Sequence, residues 1–239
     1  ALLLIVTPQV SAQQFSSRQQ KNDFEQFEKF RTINRDSAYV YAERLASDID
    51  SAAVGSNIAK IYDFIAEYYE TSLHSYNKAL SYRLKSARIY ETIDNLPCLT
   101  RTNALLGRIY LRNGDYHNAF SHSTKALSDA RRTGDIISER EAYLVLEQVT
   151  YFYHSDAEAA MKYNLIVSEQ HEGRQQAHQT VRALNNRFNY PLDYQEAKDL
   201  TLRAESLCKE FEFNALLINV YLNIAMQALE HNNIEDSHN

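Results

Sequence analysis

The sequence predicts an all-α fold made of about five antiparallel helix pairs followed by the start of a sixth. Only 5 glycines and 3 prolines interrupt 239 residues, too few for the many turns of a β-sandwich or β-barrel. Apolar residues recur at the three- and four-residue intervals that place them on one helix face. Small residues also return about every forty positions, which is typical of a repeat architecture.

The first residues are predicted to be the remnant of a signal peptide. A short apolar run, Leu2 to Val6, is followed by the small-x-small sequence Val10-Ser11-Ala12, so cleavage is expected after Ala12. The sequence therefore predicts a leader remnant at 1–12, a linker at 13–20 and a helical domain at 21–239. An exported, periplasmic location follows. In the alternative interpretation the apolar run is a buried first helix or strand, and a cytoplasmic location becomes the default.

The front of the domain is predicted to be the first helix pair. Phe24, Phe27 and Phe30 recur at three-residue intervals, which places them on one helix face. Between Tyr39 and Ile49 the apolar residues follow the i, i+3, i+4, i+7 pattern of a second helix.

The clearest repeat unit lies between residues 103 and 135. Its signature residues are Leu106, Gly107, Tyr110, Gly114, Ala119 and Ala126. Gly107 and Ala119 are small, so two paired helices can approach each other closely at these positions. Leu106 and Tyr110 are large and are expected to fill the space between the helices, and Gly114 permits the tight connection.

This unit resembles the tetratricopeptide repeat (TPR) family, although Asn103 stands where the family usually has a large aromatic residue. The resemblance implies a right-handed superhelical solenoid of antiparallel helix pairs. Weaker copies of the pattern contribute Tyr62, Ala66, Tyr69, Ala79, Leu184, Phe188, Ala197 and Ala204 as further signature residues. The first alanines of the second helices lie at 38, 79, 119, 160 and 197, at spacings of 41, 40, 41 and 37 residues. Extended helices explain these spacings, which exceed the family's minimal unit of about 34 residues.

The last part of the chain is predicted to stop within a repeat. Tyr221 and Ile224 mark another first helix, Asn232 and Asn233 stand where its turn is expected, and Ser237 is predicted to begin a second helix. A solenoid that stops there exposes the apolar face of its last helix, since finished arrays end on a polar capping helix. The natural polypeptide is therefore expected to continue beyond residue 239.

The sequence offers no candidate catalytic residues, cofactor site or metal site. No phosphate-binding loop, nucleophile elbow or paired-histidine zinc helix is present. His117 and His122 are five residues apart, whereas ligands on one helix face need spacings of three or four. Glu67 and Glu70 are expected on an exposed face, without a partner that would tune a proton donor. The sequence therefore predicts a protein that is not an enzyme.

A groove lined by the first helix of each pair is the predicted binding site for a protein or peptide. The candidate residues are Arg101, Arg108, Arg112, Tyr151, Arg182, Asn186, Tyr190 and Asn223. Lys60, Asp63 and Glu67 are expected to extend this set on the preceding repeat, so the groove would change from acidic to basic to polar. Such a charge pattern can orient an extended peptide and accelerate its binding.

Arg182, Asn186 and Asn223 also match the spacing of a carboxylate clamp that some TPR proteins use to hold a peptide C-terminus. Arginine suits this role because it donates two parallel hydrogen bonds to a carboxylate. Asparagines in these helices also form hydrogen bonds between neighbouring repeats, and this structural interpretation is the alternative.

The function predicted from the sequence is a non-catalytic interaction module. The chain carries 25 Lys plus Arg against 31 Asp plus Glu, a net charge of −6, which argues against direct nucleic-acid binding. An exported TPR array resembles the sensory region of membrane-bound signalling or transcription-regulatory proteins of Bacteroidetes-type bacteria, with a membrane tether beyond residue 239. The alternatives are a free-standing periplasmic scaffold or assembly factor, and an enzyme or carrier whose active part lies further along the chain. The oligomeric state is left open.

Overall fold

The computed structural model describes residue 15 and residues 17–50, 53–170, 173–187 and 193–237. Within these residues the chain forms eleven α-helices and no β-strand. The predicted leader remnant at 1–12 lies outside the described residues. None of the described helices is both long and apolar enough to cross a membrane.

The helices follow one another along the chain with short connections. In order they are α1 (Arg18–Phe30), α2 (Arg35–Asp48), α3 (Ser56–Thr71), α4 (Tyr76–Thr92), α5 (Leu96–Arg112), α6 (Tyr116–Thr133), α7 (Ile136–Phe152), α8 (Ala157–Glu169), α9 (Gly173–Arg187), α10 (Tyr194–Glu210) and α11 (Asn214–Ser237). Two compact units divide the chain, Ala1–Ser138 and Glu139–Asn239, and we call them unit 1 and unit 2.

Unit 1 contains three helix pairs. Helix α1 packs against α2, α3 against α4 and α5 against α6, while α2–α3 and α4–α5 contacts join successive pairs. Phe27, Leu45, Ile58, Ile65 and Ile109 are among the fully buried side chains of its core. Because packed neighbours joined by a short connection run in opposite directions, each pair is an antiparallel hairpin. The predicted all-α architecture of repeating helix pairs is therefore confirmed.

The first helix begins with a capped first turn. Ser17 caps α1, because its hydroxyl accepts a hydrogen bond from the Gln20 amide at 3.0 Å. The Gln20 side chain accepts in return from the Ser17 amide at 3.2 Å. This reciprocal capping box stabilises a helix start at Arg18, within the segment that the sequence assigned to the linker.

Most of the signature residues of unit 1 are buried. Tyr62, Ala66, Tyr69, Ala79, Leu106, Ala119 and Ala126 are all buried. Gly107 is placed so that a Cβ atom there would contact the Ser123 side chain, and would lie 3.3 Å from the Ala119 carbonyl oxygen. Gly114 has φ +75°, a left-handed conformation that glycine adopts without steric cost. Tyr110 is half-buried and stacks on His122.

In unit 2 consecutive helices also pack on one another. Helix α8 packs on α9, α9 on α10, α10 on α11, and α11 also contacts α9. Its core includes Val181, Leu184, Ala204, Cys208 and Val220, and Ala197 is buried as well. The rings of Tyr143 and Tyr163 bring α7 and α8 together, with centroids 5.6 Å apart. The remaining signature residue, Phe188, lies outside the described residues.

The predicted turn at Asn232 and Asn233 is wrong, because α11 runs without interruption from Asn214 to Ser237. The segment from Glu230 to Ser237 contains neither glycine nor proline. Asparagine in a helix interior costs only about 0.7 kcal/mol relative to alanine, so two asparagines do not by themselves end a helix.

Candidate functional site

Three predicted groove arginines of unit 1 share one side of α5. Arg101, Arg108 and Arg112 are separated by seven and four residues, which brings them onto the same helix face with Leu105 between them. Arg101 and Arg112 are exposed, whereas Arg108 and Leu105 are half-buried. We call this set the arginine face of α5. At 1.5 Å per residue, Arg101 and Arg112 are about 16 Å apart along the helix axis.

Arg108 is held by a carboxylate of the preceding repeat. Its Nε donates to Oε1 of Glu70 at 2.8 Å, and its Nη2 donates to Oε2 at 3.2 Å. The prediction that Glu70 is exposed and without a partner is wrong, since this residue on α3 is only 8% exposed. The bidentate pair joins α3 to α5 and balances the charge of Arg108.

Asp63 faces the second helix of its own pair instead of the predicted groove. Its Oδ1 accepts hydrogen bonds from Nη1 of Arg83 at 2.8 Å and from Oγ of Ser86 at 2.6 Å. Its Oδ2 accepts from the Tyr90 hydroxyl at 2.9 Å. Burial and the Asp63 charge raise the pKa of Tyr90, so the phenol stays a donor. Asp63 therefore joins α3 to α4, and its placement in the groove was wrong.

Lys60 is exposed on α3, and so is Glu67, as the sequence predicted. Oε1 of Glu67 accepts a hydrogen bond from Nη2 of Arg35 on α2 at 3.1 Å. The same guanidinium lies over the Phe64 ring, 6.0 Å from its centroid. Both partners of this ion pair are substantially exposed, so it contributes little to stability.

The arginine face of α5 thus carries a local excess of positive charge in an acidic protein. Asp63 and Glu70, two carboxylates of α3, are both bound by arginines inside unit 1. Burial raises the pKa of the Asp135 carboxyl, but hydrogen bonds from Ser138 and the charge of Arg101 hold it below its ordinary value. Arg101 therefore lies close to one carboxylate, and Arg112 is exposed at the other end of the face.

In unit 2 the predicted groove residues are placed on α7, α9 and α11. Tyr151 is half-buried against the exposed ring of Phe152, with centroids 4.7 Å apart. Arg182 is exposed on α9. Burial raises the pKa of the Glu147 carboxyl on α7, although an Asn164 hydrogen bond and the charge of Arg182 act in the opposite direction. The charge of Arg182 therefore already acts on the buried carboxylate of Glu147.

The structure describes only some of the residues that the carboxylate-clamp hypothesis requires. The Asn223 amide on α11 donates to Oδ1 of Asn185 on α9 at 3.5 Å. This contact is the hydrogen bond between repeats that the alternative interpretation describes. The Asn186 side chain and the whole of Tyr190 lie outside what the structure describes.

A polar contact inside the α5–α6 pair explains why Asn103 departs from the repeat pattern. Asn103 is buried, and its Oδ1 lies 3.0 Å from Nδ1 of His122. Burial lowers the pKa of His122, so the imidazole is held in its neutral form against the Tyr110 ring. In the described part of the chain, no group of three or more His, Cys, Asp or Glu side chains is arranged to hold a metal ion.

Several residues that shape the site were not predicted from the sequence. Arg35, Leu105 and Asn185 were not singled out, and Arg83 was not recognised as a buried cation. The one usable signal was the position of Leu105 at i+4 from Arg101, which places both on the same helix face.

Comparison with known proteins adds only a distant structural likeness. No family model matches the sequence, and no curated protein matches it. Among solved structures, the crystal structure of BtubC (BKLC) from P. vanneervenii is similar at 14% identity and a TM-score of 0.45. The similarity covers 88% of this chain and 91% of that one.

Proposed function

We propose that the protein is a non-catalytic binding module of the tetratricopeptide type, and that the arginine face of α5 binds an extended acidic peptide. The observation that carries this proposal is the pair of exposed guanidinium groups, Arg101 and Arg112, on the same side of one helix. Half-buried Leu105 lies between them and offers an apolar contact.

The spacing defines the kind of peptide. An extended chain advances about 3.3 Å per residue and alternate side chains share a face, so carboxylates four residues apart lie on one face about 13 Å apart and can reach two long arginine side chains whose helix positions are about 16 Å apart. Each arginine can donate two parallel hydrogen bonds to a carboxylate, which gives orientation as well as energy. A leucine or similar side chain between the two acidic residues would contact Leu105.

The charge balance of unit 1 supports an acidic ligand over a basic one. Asp63 and Glu70 are each engaged by an arginine of unit 1, so these carboxylates are not available to a basic peptide. Attraction between exposed charges mainly raises the association rate and selects the partner, and it weakens as salt is added.

The test is fluorescence anisotropy with a labelled pentapeptide that has glutamate at its first and last positions and leucine at the third. The double variant Arg101→Glu/Arg112→Glu is expected to weaken binding at least tenfold, because attraction becomes repulsion at both ends. The matched control is Arg88→Glu, an exposed arginine on α4, which should change affinity less than about twofold. Equal loss in the control, or equally tight binding of a pentapeptide with lysine in place of glutamate, contradicts the proposal.

We also propose that the module is the exported interaction region of a larger signalling or transcription-regulatory protein. The support for export is the apolar run from Leu2 to Val6 with the small residues Ser11 and Ala12 after it. Fusion of residues 1–20, preceded by a start codon and a basic leader, to an alkaline phosphatase reporter is expected to give periplasmic activity. A matched fusion with Ile5→Asp should stay in the cytosol, and cytosolic retention of both fusions would contradict export.

A further inference from the structure

A cleft of unit 2 lies between α9 and α10. Its volume is about 470 Å³, which is the size of a small-molecule site. On α9 the cleft is lined by Gly173, Gln176, Ala177 and Thr180, which share one face of the helix. Gly173 and Ala177 leave room for a ligand, because they carry little or no side chain.

The α10 wall of the cleft carries opposite charges at its two ends. Arg203 and Glu210 are seven residues apart, so they share the face that lines the cleft, and their helix positions are about 10 Å apart along the axis. Ser206 lies between them, with the half-buried apolar side chains of Leu207 and Phe211 beside it. A ligand in the cleft would therefore contact a cation at one end and a carboxylate at the other.

Both charges of the cleft are available to a ligand. In the part of the chain that the structure describes, the side chains of Arg203, Ser206 and Glu210 are exposed, and none of them forms a hydrogen bond or an ion pair. Glu205, on the same helix but outside the cleft, is by contrast already paired with Lys209. The cleft therefore keeps one cation and one anion that no neighbouring side chain balances.

The most buried polar group of the cleft is a threonine. Thr180 is only 8% exposed, and its hydroxyl donates to the Gln176 carbonyl oxygen at 2.8 Å. The Thr180 oxygen therefore remains an acceptor, and the exposed side-chain amide of Gln176 can both donate and accept. Such groups suit the N–H and C=O groups of a peptide bond, which need hydrogen-bond partners when they leave water.

We propose that this cleft binds a free tripeptide, with the C-terminal carboxylate of the peptide at Arg203 and its N-terminal ammonium at Glu210. Each residue of an extended chain adds about 3.3 Å, so the two charged ends of a tripeptide are about 10 Å apart. This length matches the separation of Arg203 and Glu210 along α10. The arginine can donate two parallel hydrogen bonds to the carboxylate, and an apolar middle residue would contact Leu207.

The binding should be weak. Arg203 and Glu210 are both exposed to water, so each ion pair with the peptide contributes little more than a surface salt bridge does. The peptide also loses conformational freedom when it binds. We expect a dissociation constant on the order of 100 µM for a tripeptide.

Isothermal titration calorimetry of the 239-residue chain with the tripeptide Ala-Leu-Ala measures this binding. Acetylation and amidation of the peptide remove its two charges and should weaken binding at least about tenfold. Arg203→Glu and Glu210→Arg should each have a similar effect, because attraction at one end becomes repulsion. The matched control is Lys198→Glu, an exposed position of α10 outside the cleft, which should change affinity less than about twofold.

A charge swap tests whether the two residues act together. The double variant Arg203→Glu/Glu210→Arg carries the same charges in reversed order, so the peptide can bind in the opposite direction and most of the lost affinity should return. Far-UV circular dichroism establishes that the variants are folded. No binding of Ala-Leu-Ala, equally tight binding of the blocked peptide, or a double variant no better than the single variants would overturn the proposal.

Discussion

Replacing Asp63 with alanine is expected to lower the free energy of unfolding of unit 1 by about 3 kcal/mol, because Arg83 is then left buried without a counter-charge. Arg83 is only 3% exposed, and Asp63 is the carboxylate that binds it. The expected loss of stability is at the lower end of the range for broken buried ion pairs, because the Asp63 side chain keeps 26% exposure to water. Urea unfolding followed by far-UV circular dichroism measures the change.

The control is a second aspartate of unit 1 that accepts a tyrosine hydrogen bond at the surface. Asp36 accepts from the Tyr68 hydroxyl at 2.7 Å and faces no buried cation. Asp36→Ala should therefore cost about 1 kcal/mol or less. Replacing both partners of the buried pair with apolar residues, as Asp63→Leu/Arg83→Met, should recover most of the loss. If Asp63→Ala costs no more than Asp36→Ala, the buried cation is compensated in another way.

The repeating helix pairs could be predicted because the signal is local. Ala79, Ala119 and Ala197 are small residues near the start of the second helices, and all three are buried. Helix periodicity likewise depends only on residues three or four positions apart, so it is readable without knowledge of the fold.

The partners of the charged side chains could not be predicted in the same way. The helical stripe gives the angle of Asp63 around α3, but it does not say which neighbouring helix occupies that side. Arg83 lies 20 residues further along the chain, and the partner of Glu70, Arg108, lies 38 residues away. Such long-range pairs depend on how the helices pack, and packing is a property of the tertiary structure. Two of the predicted surface carboxylates therefore pair with arginines of unit 1 instead.

The paired histidine and asparagine of α5 and α6 illustrate the same limit. Asn103 looked like a weak position in the repeat because a large aromatic residue is usual there. In the structure its place is filled by a polar contact with His122, whose ring stacks on Tyr110. The repeat pattern expects one large aromatic side chain to fill this volume, whereas here the His122 side chain of the neighbouring helix α6 fills it.

Gly107→Val is expected to lower the free energy of unfolding of unit 1 by about 3 kcal/mol, because a Cβ atom and two methyl groups would have to enter a close contact between α5 and α6. Gly107→Ala should be far milder. Its Cβ would meet Oγ of Ser123, which has no hydrogen-bond partner in the structure and can rotate away. Alanine also gains up to about 1 kcal/mol of helix propensity over glycine, which offsets part of the crowding. Urea unfolding of both variants measures the difference.

Two controls separate crowding from the effect of a β-branched residue in a helix. Arg112→Val, at an exposed position of the same helix, should cost only about 0.5 kcal/mol of helix propensity. Adding Ser123→Gly to Gly107→Val should recover part of the loss, because it removes the side chain that the new methyl groups would meet. Gly107→Val and Arg112→Val with equal effects would mean that α5 and α6 are further apart at Gly107 than the structure places them. In that case small residues at these positions would not mark the crossing points of the helix pairs.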